Sequence, residues 1–357
     1  MEQKQSLLAF IGSYAEADEP SLYTCSFDPL SGELKLLHER SGIKNPTFLD
    51  LDKQGMKLYA IGEKTADDGQ RVGTASAWSI HPDNGELILL NEEQTVDKST
   101  CHIQLDRTKR CLIVSSYHGG MIGLSPLLED GRIAPASDVQ QHEGSSVLPV
   151  QSQARAHSAI FDRNNRYVVV SDLGLDKLFV YALDLNACKL TLQQELQLAG
   201  GSGPRHFVFH PAQPYGYVIN ELNATITVLD YDEANGRLAV KQTVSTLPDG
   251  YDGEKSCADI HISPDGRFLY GSNRGHDSIA VYRIAADGTL QIIEHVSTGG
   301  KHPRNFAISP DGRFVLAANR DTDNIVIFAR DAETGRLTPT GHSLTVSKPV
   351  CVRILDR

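Results

Sequence analysis

The stretch that decides the fold is SCADIHISPDGRFLYGSNR (256–274), which returns in recognisable form as HPRNFAISPDGRFVLAANR (302–320). Each copy holds two short β-rich runs joined by Pro264-Asp265-Gly266-Arg267 or Pro310-Asp311-Gly312-Arg313. In such a turn Pro presets φ and Gly accepts a positive one, so each phrase reads as a hairpin. Working outward, the same phrase appears as NPTFLDLDKQGMKLYAIGE (45–63), STCHIQLDRTKRCLIVSSY (99–117), RAHSAIFDRNNRYVVVSDL (155–173) and GPRHFVFHPAQPYGYVINE (203–221). The six copies align without a gap at intervals of roughly 46 to 56 residues, the period of a four-stranded propeller blade.

A second hairpin follows each phrase, marked by a turn of the form Asp-x-x-x-Gly-x-Leu or a shortened Asp-Gly-x-Leu. Seven such turns are present, at 28–34, 81–87, 130–133, 184–190, 232–238, 287–290 and 331–337, with His81 in the place of Asp in the second, Ile133 in the place of Leu in the third and Cys188 in the place of Gly in the fourth. Seven second hairpins against six complete phrases leave one deficit, and both ends of the chain supply it. Residues 348–353 read as the opening strand of a seventh phrase, and LLAFIGSY (7–14) reads as its closing strand, like CLIVSSY (111–117). The sequence therefore predicts an all-β, seven-bladed β-propeller with four antiparallel strands per blade. Residues 1–357 form one domain of about 51 residues per blade, and the last blade is closed by both termini, which leaves no free sheet edge at the seam.

The composition agrees with a globular protein and narrows its partners. Of 357 residues 40% are hydrophobic and 22% charged, and the formal net charge of -11 argues against a nucleic-acid phosphate backbone as ligand. A small anion held by a few local arginines remains compatible. The opening residues carry only the apolar run 7–10, and no stretch approaches the ~20 apolar residues of a membrane span, so neither a signal peptide nor membrane attachment is expected. Six cysteines without a CxxC spacing (25, 101, 111, 188, 257 and 351) read as reduced thiols in a cytoplasmic protein, monomeric or weakly self-associating.

In a four-stranded blade the start of the innermost strand and the end of its neighbour share one rim, so the polar residues can be read as columns of the repeat. The third column holds Thr47, Cys101, His157, Arg205, Ala258 and Arg304, and the fourth holds Phe48, His102, Ser158, His206, Asp259 and Asn305. The last column holds Glu63, Tyr117, Leu173, Glu221, Arg274 and Arg320, preceded in three copies by Asn220, Asn273 and Asn319. A scaffold position reuses one residue, so the recurring asparagines read first as clasps between blades. His157, Arg205, Glu221 and Arg274 change from copy to copy and read as a site. Isolated strand histidines such as His206 and His261 read as structural residues rather than metal ligands, and Gly201-Ser202-Gly203 precedes a strand and is too short for a dinucleotide loop.

Gly203-Pro204-Arg205-His206, Asn220-Glu221, Ala258-Asp259-Ile260-His261, Ser272-Asn273-Arg274 and Pro303-Arg304-Asn305 together resemble the bacterial seven-bladed propeller 6-phosphogluconolactonases, whose fold is similar to that of the fungal carboxy-muconate lactonizing enzymes. The resemblance spans the chain from Gly12-Ser13-Tyr14 to Lys348-Pro349. It implies catalytic roles for His157, Arg205, Glu221 and Arg274, which match the His, two Arg and Glu of the fungal branch. Ser115-Ser116-Tyr117-His118 departs from the Asn-Tyr-Gly pattern expected there, and Asp176 falls in a loop that varies.

The implied chemistry is hydrolysis of 6-phospho-D-glucono-1,5-lactone without a metal or other cofactor. His157 is expected as base, since an imidazole titrates near working pH, with Glu221 orienting it or the water. Arg205, Arg274 and Arg304 are the expected donors to phosphate and oxyanion, because guanidinium presents a planar fork. Arg304, His206, Asp259, Asn273, Asn319 and Arg320 are the candidate substrate ligands. The competing readings are a muconate-type cycloisomerase or another lactonase on the same residues, and a non-catalytic propeller that presents its rim to a protein.

Overall fold

A computed structural model describes residues 6–66 and 69–355. Its strands form seven four-stranded sheets. From the innermost strand outward, the first blade runs Leu49–Asp52, Lys57–Thr65, Arg71–Ile80 and Leu87–Val96, and the second His102–Leu105, Cys111–Ser116, Met121–Pro126 and Asp138–Gln141. The third begins at Ala156–Phe161, the fourth at Pro204–Phe209, the fifth at Ser256–Ile262 and the sixth at Pro303–Ile308. The seventh takes its innermost strand, Pro349–Leu355, from the C-terminal side and the other three, Leu7–Ser13, Leu22–Phe27 and Leu34–Arg40, from the N-terminal side. Leu8 to Ser13 pair antiparallel with Pro349 to Leu355, so the expected closure through both termini is what the chain does. The turn at 130–133 is followed by only a four-residue outer strand, Asp138–Gln141, against nine in the third blade.

The glycine of the outer turn has a packing reason as well as a torsional one. Gly335 sits at φ 77°, and a Cβ there would lie 2.3 Å from the Phe268 ring of the preceding blade. Gly288 against Tyr215 and Gly236 against Tyr167 repeat this contact one and two blades back, while the Tyr270 and Tyr217 hydroxyls donate to the carbonyls of Gly335 and Gly288 at 2.8 and 2.9 Å. With Phe314 against Gly32, four blades thus lay an aromatic ring into the bare turn of the next, whereas Gly85 meets Thr24 and Leu8 and Gly131 meets Lys57. Where Cys188 replaces the glycine, the equivalent position on the preceding blade is the small Cys111, and both thiols belong to one apolar cluster. The residue with a side chain at this turn thus meets a small thiol rather than a ring. All six cysteines are free, five of them buried.

Side chains of the innermost strands tie neighbouring blades around the channel. Asp50 Oδ2 accepts from the Leu105 amide at 2.7 Å, Gln104 Oε1 from Phe161 at 2.7 Å, and Asn305 Oδ1 from Val352 at 2.8 Å. These bonds satisfy backbone donors that face the channel rather than another strand of the same sheet. The inner strands are thereby held in a fixed ring around whatever their remaining side chains do.

Candidate active site

The innermost strands of the third, fourth and sixth blades do not pair regularly with their neighbours. Their register slips between Ala156 and Ser158, between Pro204 and His206, and between Pro303 and Asn305. The residues left over are His157, Arg205 and Arg304, three members of the third column. A β-bulge re-aims the side chain of its extra residue, and here three bulges turn chemistry-bearing side chains toward one mouth of the channel.

That mouth opens as a cavity of about 560 Å³. His157, Glu221 and Arg304 line it together with Tyr14, Thr47, Cys101 and Tyr117, and its wall continues through Glu63, Arg71 and Lys98 at the first and second blades. Arg205 and Arg274 lie behind Glu221 rather than on the wall, at 2% and 6% exposure. Glu221 Oε2 stands 3.0 Å from Arg205 Nε and 2.9 Å from Arg274 Nη2, and Arg274 Nη2 also donates to the Cys257 carbonyl at 2.6 Å. The guanidinium that faces the cavity without a carboxylate partner among the described residues is that of Arg304, 5.6 Å above the Tyr14 ring.

Burial and neighbouring charge set the protonation states. Burial pushes the His157 imidazole well below its ordinary range, and Arg205, His206, Arg304 and Arg274 push it further, so it is neutral at pH 7. Its Nδ1 is buried without a hydrogen-bond partner among the described residues. Burial alone would raise the Glu221 carboxyl, but Arg274, Arg205 and Arg304 outweigh it and hold the group below the usual carboxylate range. Burial, then Arg304 and Arg274, bring Arg205 down to about 9, where it is still cationic at neutral pH. Three guanidinium groups against one carboxylate leave the site with an excess of positive charge, suited to an anion or to a developing oxyanion.

Arg205 is held from behind by a hydrogen-bonded series. Asp259, 3% exposed, accepts from His206 Nδ1 at 2.7 Å and His261 Nε2 at 2.9 Å, and also from Asn305 Nδ2 and the Phe306 amide. Burial and Arg205 bring His206 down to about 4, so the ring is neutral. Arg205 Nη1 lies 3.2 Å from Nε2 and 3.4 Å from Nδ1, so the guanidinium sits over the face of the neutral ring rather than on the Nε2 lone pair. Arg205 Nη1 also donates to the Ala258 carbonyl.

This geometry corrects part of the expected ligand set. His206 and Asp259 lie beyond the cavity floor and line a second, smaller cavity of about 270 Å³ at the other end of the channel, with His102, His261 and Arg353. The His206 ring packs 5.5 Å from Phe48 and 5.7 Å from His102, forming a layer between the two cavities. Third-column Thr47, Cys101, His157 and Arg304 line the wide cavity and fourth-column Phe48, His102, His206 and Asp259 the smaller one, so adjacent columns serve different cavities. Asn273 and Asn319 are buried clasps: their amides donate to the carbonyls of Thr246 at 2.8 Å and Thr298 at 3.1 Å, which bridges each to the preceding blade and removes both from the ligand set. Arg320 lies at the rim, paired with Asp321 at 2.5 Å in a neighbouring hollow that shares Tyr14 with the main cavity. Asp176 is a buried anchor that accepts from the amides of Gly201 and Gly203 at 2.7 and 2.6 Å, setting the loop that leads into Arg205. Sequence reading missed Tyr14, Arg71 and Lys98 as wall residues. Arg71 and Lys98 fall outside the repeated phrase, and Tyr14 belongs to the incomplete one.

Comparison with known proteins agrees with this architecture along its whole length. Residues 8–354 match the family described as Lactonase, 7-bladed beta-propeller. The chain is 36% identical over 351 residues to a 6-phosphogluconolactonase of Bacillus subtilis (strain 168), covering 98% of this chain and 99% of that one. It is 37% identical over 346 residues to a 6-phosphogluconolactonase of Formosa agariphila, covering 95% and 96%. The solved structure of a periplasmic gluconolactonase from Pseudomonas aeruginosa superposes with a TM-score of 0.92 at 31% identity, covering 99% of both chains. With its strand order, its closure and its relatives in agreement, the chain belongs to the seven-bladed β-propeller lactonase family.

Proposed function

We propose that the protein hydrolyses 6-phospho-D-glucono-1,5-lactone to 6-phosphogluconate, the hydrolytic step of the oxidative pentose phosphate pathway. The observation that carries this reading is a buried, neutral His157 beside an anion-binding excess of charge, in a chain whose relatives include 6-phosphogluconolactonases. Six free thiols support a reducing, cytoplasmic setting.

In this reading His157 accepts a proton from water as the water oxygen bonds to the lactone carbonyl carbon. The carbonyl electron pair moves onto oxygen, where Arg304 and the positive field behind Glu221 stabilise it. Collapse restores the carbonyl and breaks its bond to the ring oxygen, which takes the proton back from His157. The carboxylic acid then ionises to solvent. Burial makes His157 a weak base but makes its protonated form a strong acid, which favours the second half of the cycle. A δ-lactone opens readily, so a weak base suffices for the first. Glu221, ionised and clamped by two guanidinium groups, positions the water or His157 rather than carrying the proton.

The test is acid release from freshly prepared phosphorylated lactone. Wild-type protein is expected to accelerate opening well above the spontaneous rate, and no acceleration would overturn the reading. The Pseudomonas aeruginosa relative favours a second one, in which the unphosphorylated lactone is the preferred substrate. It predicts a higher kcat/KM for glucono-1,5-lactone than for its 6-phosphate.

A further inference from the structure

Of the three cations first expected to hold phosphate and oxyanion, Arg205 and Arg274 both pair with Glu221 and lie behind the cavity wall, and Arg304 alone of the three faces the cavity. The opposite side of the same cavity, at the first and second blades, carries charge of its own. Lys98 lines it, and its Nζ donates to the neutral Gln70 side chain at 2.5 Å, so the ammonium charge is not cancelled by that partner. Arg71 stands beside it with its guanidinium 4.0 Å from Glu63, a separation too long for a tight pair, and its side chain is 67% exposed at the rim. Glu63 Oε2 is buried in the wall with no hydrogen-bond partner among the described residues, an acceptor without a donor.

A buried carboxylate oxygen near Arg71, in a wall that Lys98 also lines, does not suit an apolar acid. It suits a ligand that brings hydroxyl donors and an anionic group together. Glu63 can accept from a sugar hydroxyl, while Lys98, with Arg71 outside it, meets a dianion as charge-assisted donors. Lys98 and Glu63 come from different blades than His157 and Glu221, so the two walls can hold opposite ends of one molecule. The lactone carbonyl would face His157 and Arg304, and the substituent at the far end of the sugar would face Lys98.

We infer that Lys98, Arg71 and Glu63 form the subsite for the phosphorylated end of a sugar lactone, with Lys98 as the residue that distinguishes phosphorylated from unphosphorylated substrates. This rests on the lactonase reading, and the experiment separates the two. Initial rates are measured on 6-phosphogluconolactone and glucono-1,5-lactone for wild type, Lys98→Ala, Lys98→Arg and Arg71→Ala, and the ratio of kcat/KM for the two substrates is compared. Loss of a charge-assisted contact predicts a fall in that ratio of about tenfold or more in Lys98→Ala, carried by KM, a smaller fall in Arg71→Ala, and substantial recovery in Lys98→Arg. Inorganic phosphate is expected to inhibit wild type competitively and Lys98→Ala more weakly. A ratio unaltered by Lys98→Ala, or a wild type that does not prefer the phosphorylated lactone, would overturn the subsite while leaving lactone hydrolysis standing. A wild type that opens neither lactone faster than buffer would overturn the hydrolase reading itself.

Discussion

The two ends of the central channel are built on the same ring of seven inner strands, largely by adjacent columns of one repeat, yet they do different things. At one end the third-column residues His157 and Arg304 reach a wide cavity with Glu221, where an anion could sit. At the other, the fourth-column residues Phe48, His102, His206 and Asp259 pack against each other around a cavity half as large, and Asp259 is saturated by four donors. One residue of offset along a strand separates a reactive surface from its support. The difference teaches that the support is chemically specific: a neutral His206, fixed by Asp259, lays its ring face against the same Arg205 that holds Glu221.

Removing His157 should break the reactive end most completely. His157→Ala is expected to lower kcat for lactone opening by about 10²- to 10³-fold with a small change in unfolding free energy, as read by rate assays and urea denaturation. An equal loss from a substitution in the second cavity would erase the distinction between the two ends.

Breaking the support should cost both stability and activity. Asp259→Ala strips an acceptor from His206, His261, Asn305 and the Phe306 amide, and is expected to destabilise by roughly 3 kcal/mol. It should also reduce kcat through a displaced Arg205. Asp259→Asn keeps the shape and part of the bonding and should fall between. An Asp259→Ala enzyme with wild-type kcat would show that the series behind Arg205 is structural only.

Acid should weaken both ends before it reaches the carboxylates. His102, His157 and His206 all have folded-state values below the ordinary one, so the unfolded chain binds more protons as pH falls through about 6.5. Stability contributed by their neutral forms is present above that value and is lost progressively below it. For His206, with a folded value of about 4, the loss runs from about pH 6.5 down to about pH 4. The rate of lactone opening, corrected for the spontaneous reaction, should by contrast stay level from about pH 6 to 8, because His157 is already neutral there. A rate limb centred near 6.5 would show that His157 titrates as an ordinary surface imidazole.

The smallest effect lies between the blades. Gly335→Ala places a Cβ against Phe268 at a residue with φ 77°, and a loss of about 1–3 kcal/mol with unchanged kinetics is expected from thermal and urea unfolding. No loss would show that the aromatic-on-glycine contact is not a fixed latch.

The fold was legible because a repeat repeats its constraints. The paired hairpins, the seven turns and the split seventh blade all follow from turn residues and spacing, and even Cys188 marked where a packing partner had changed. The site was legible as a set of columns but not as a volume. Nothing in the strings around His157, Arg205 and Arg304 announces a bulge, since the register slip depends on pairing with the next strand. Nor does a column show which residues stand in front: Arg205 and Arg274 were found, but Glu221 covers them. Lys98 and Arg71 were invisible for a different reason, because a residue outside the repeat has no column to stand in.

The central claim is that the wide, third-column end opens the lactone and the narrow, fourth-column end does not. The most direct measurement compares acid release from 6-phosphogluconolactone at pH 7 by wild type, His157→Ala and Arg107→Ala, the last in the wall of the second cavity. Acceleration retained within about threefold by Arg107→Ala and lost by His157→Ala is the predicted result. Retention by His157→Ala together with loss by Arg107→Ala would place the reaction at the other end of the channel and contradict the account.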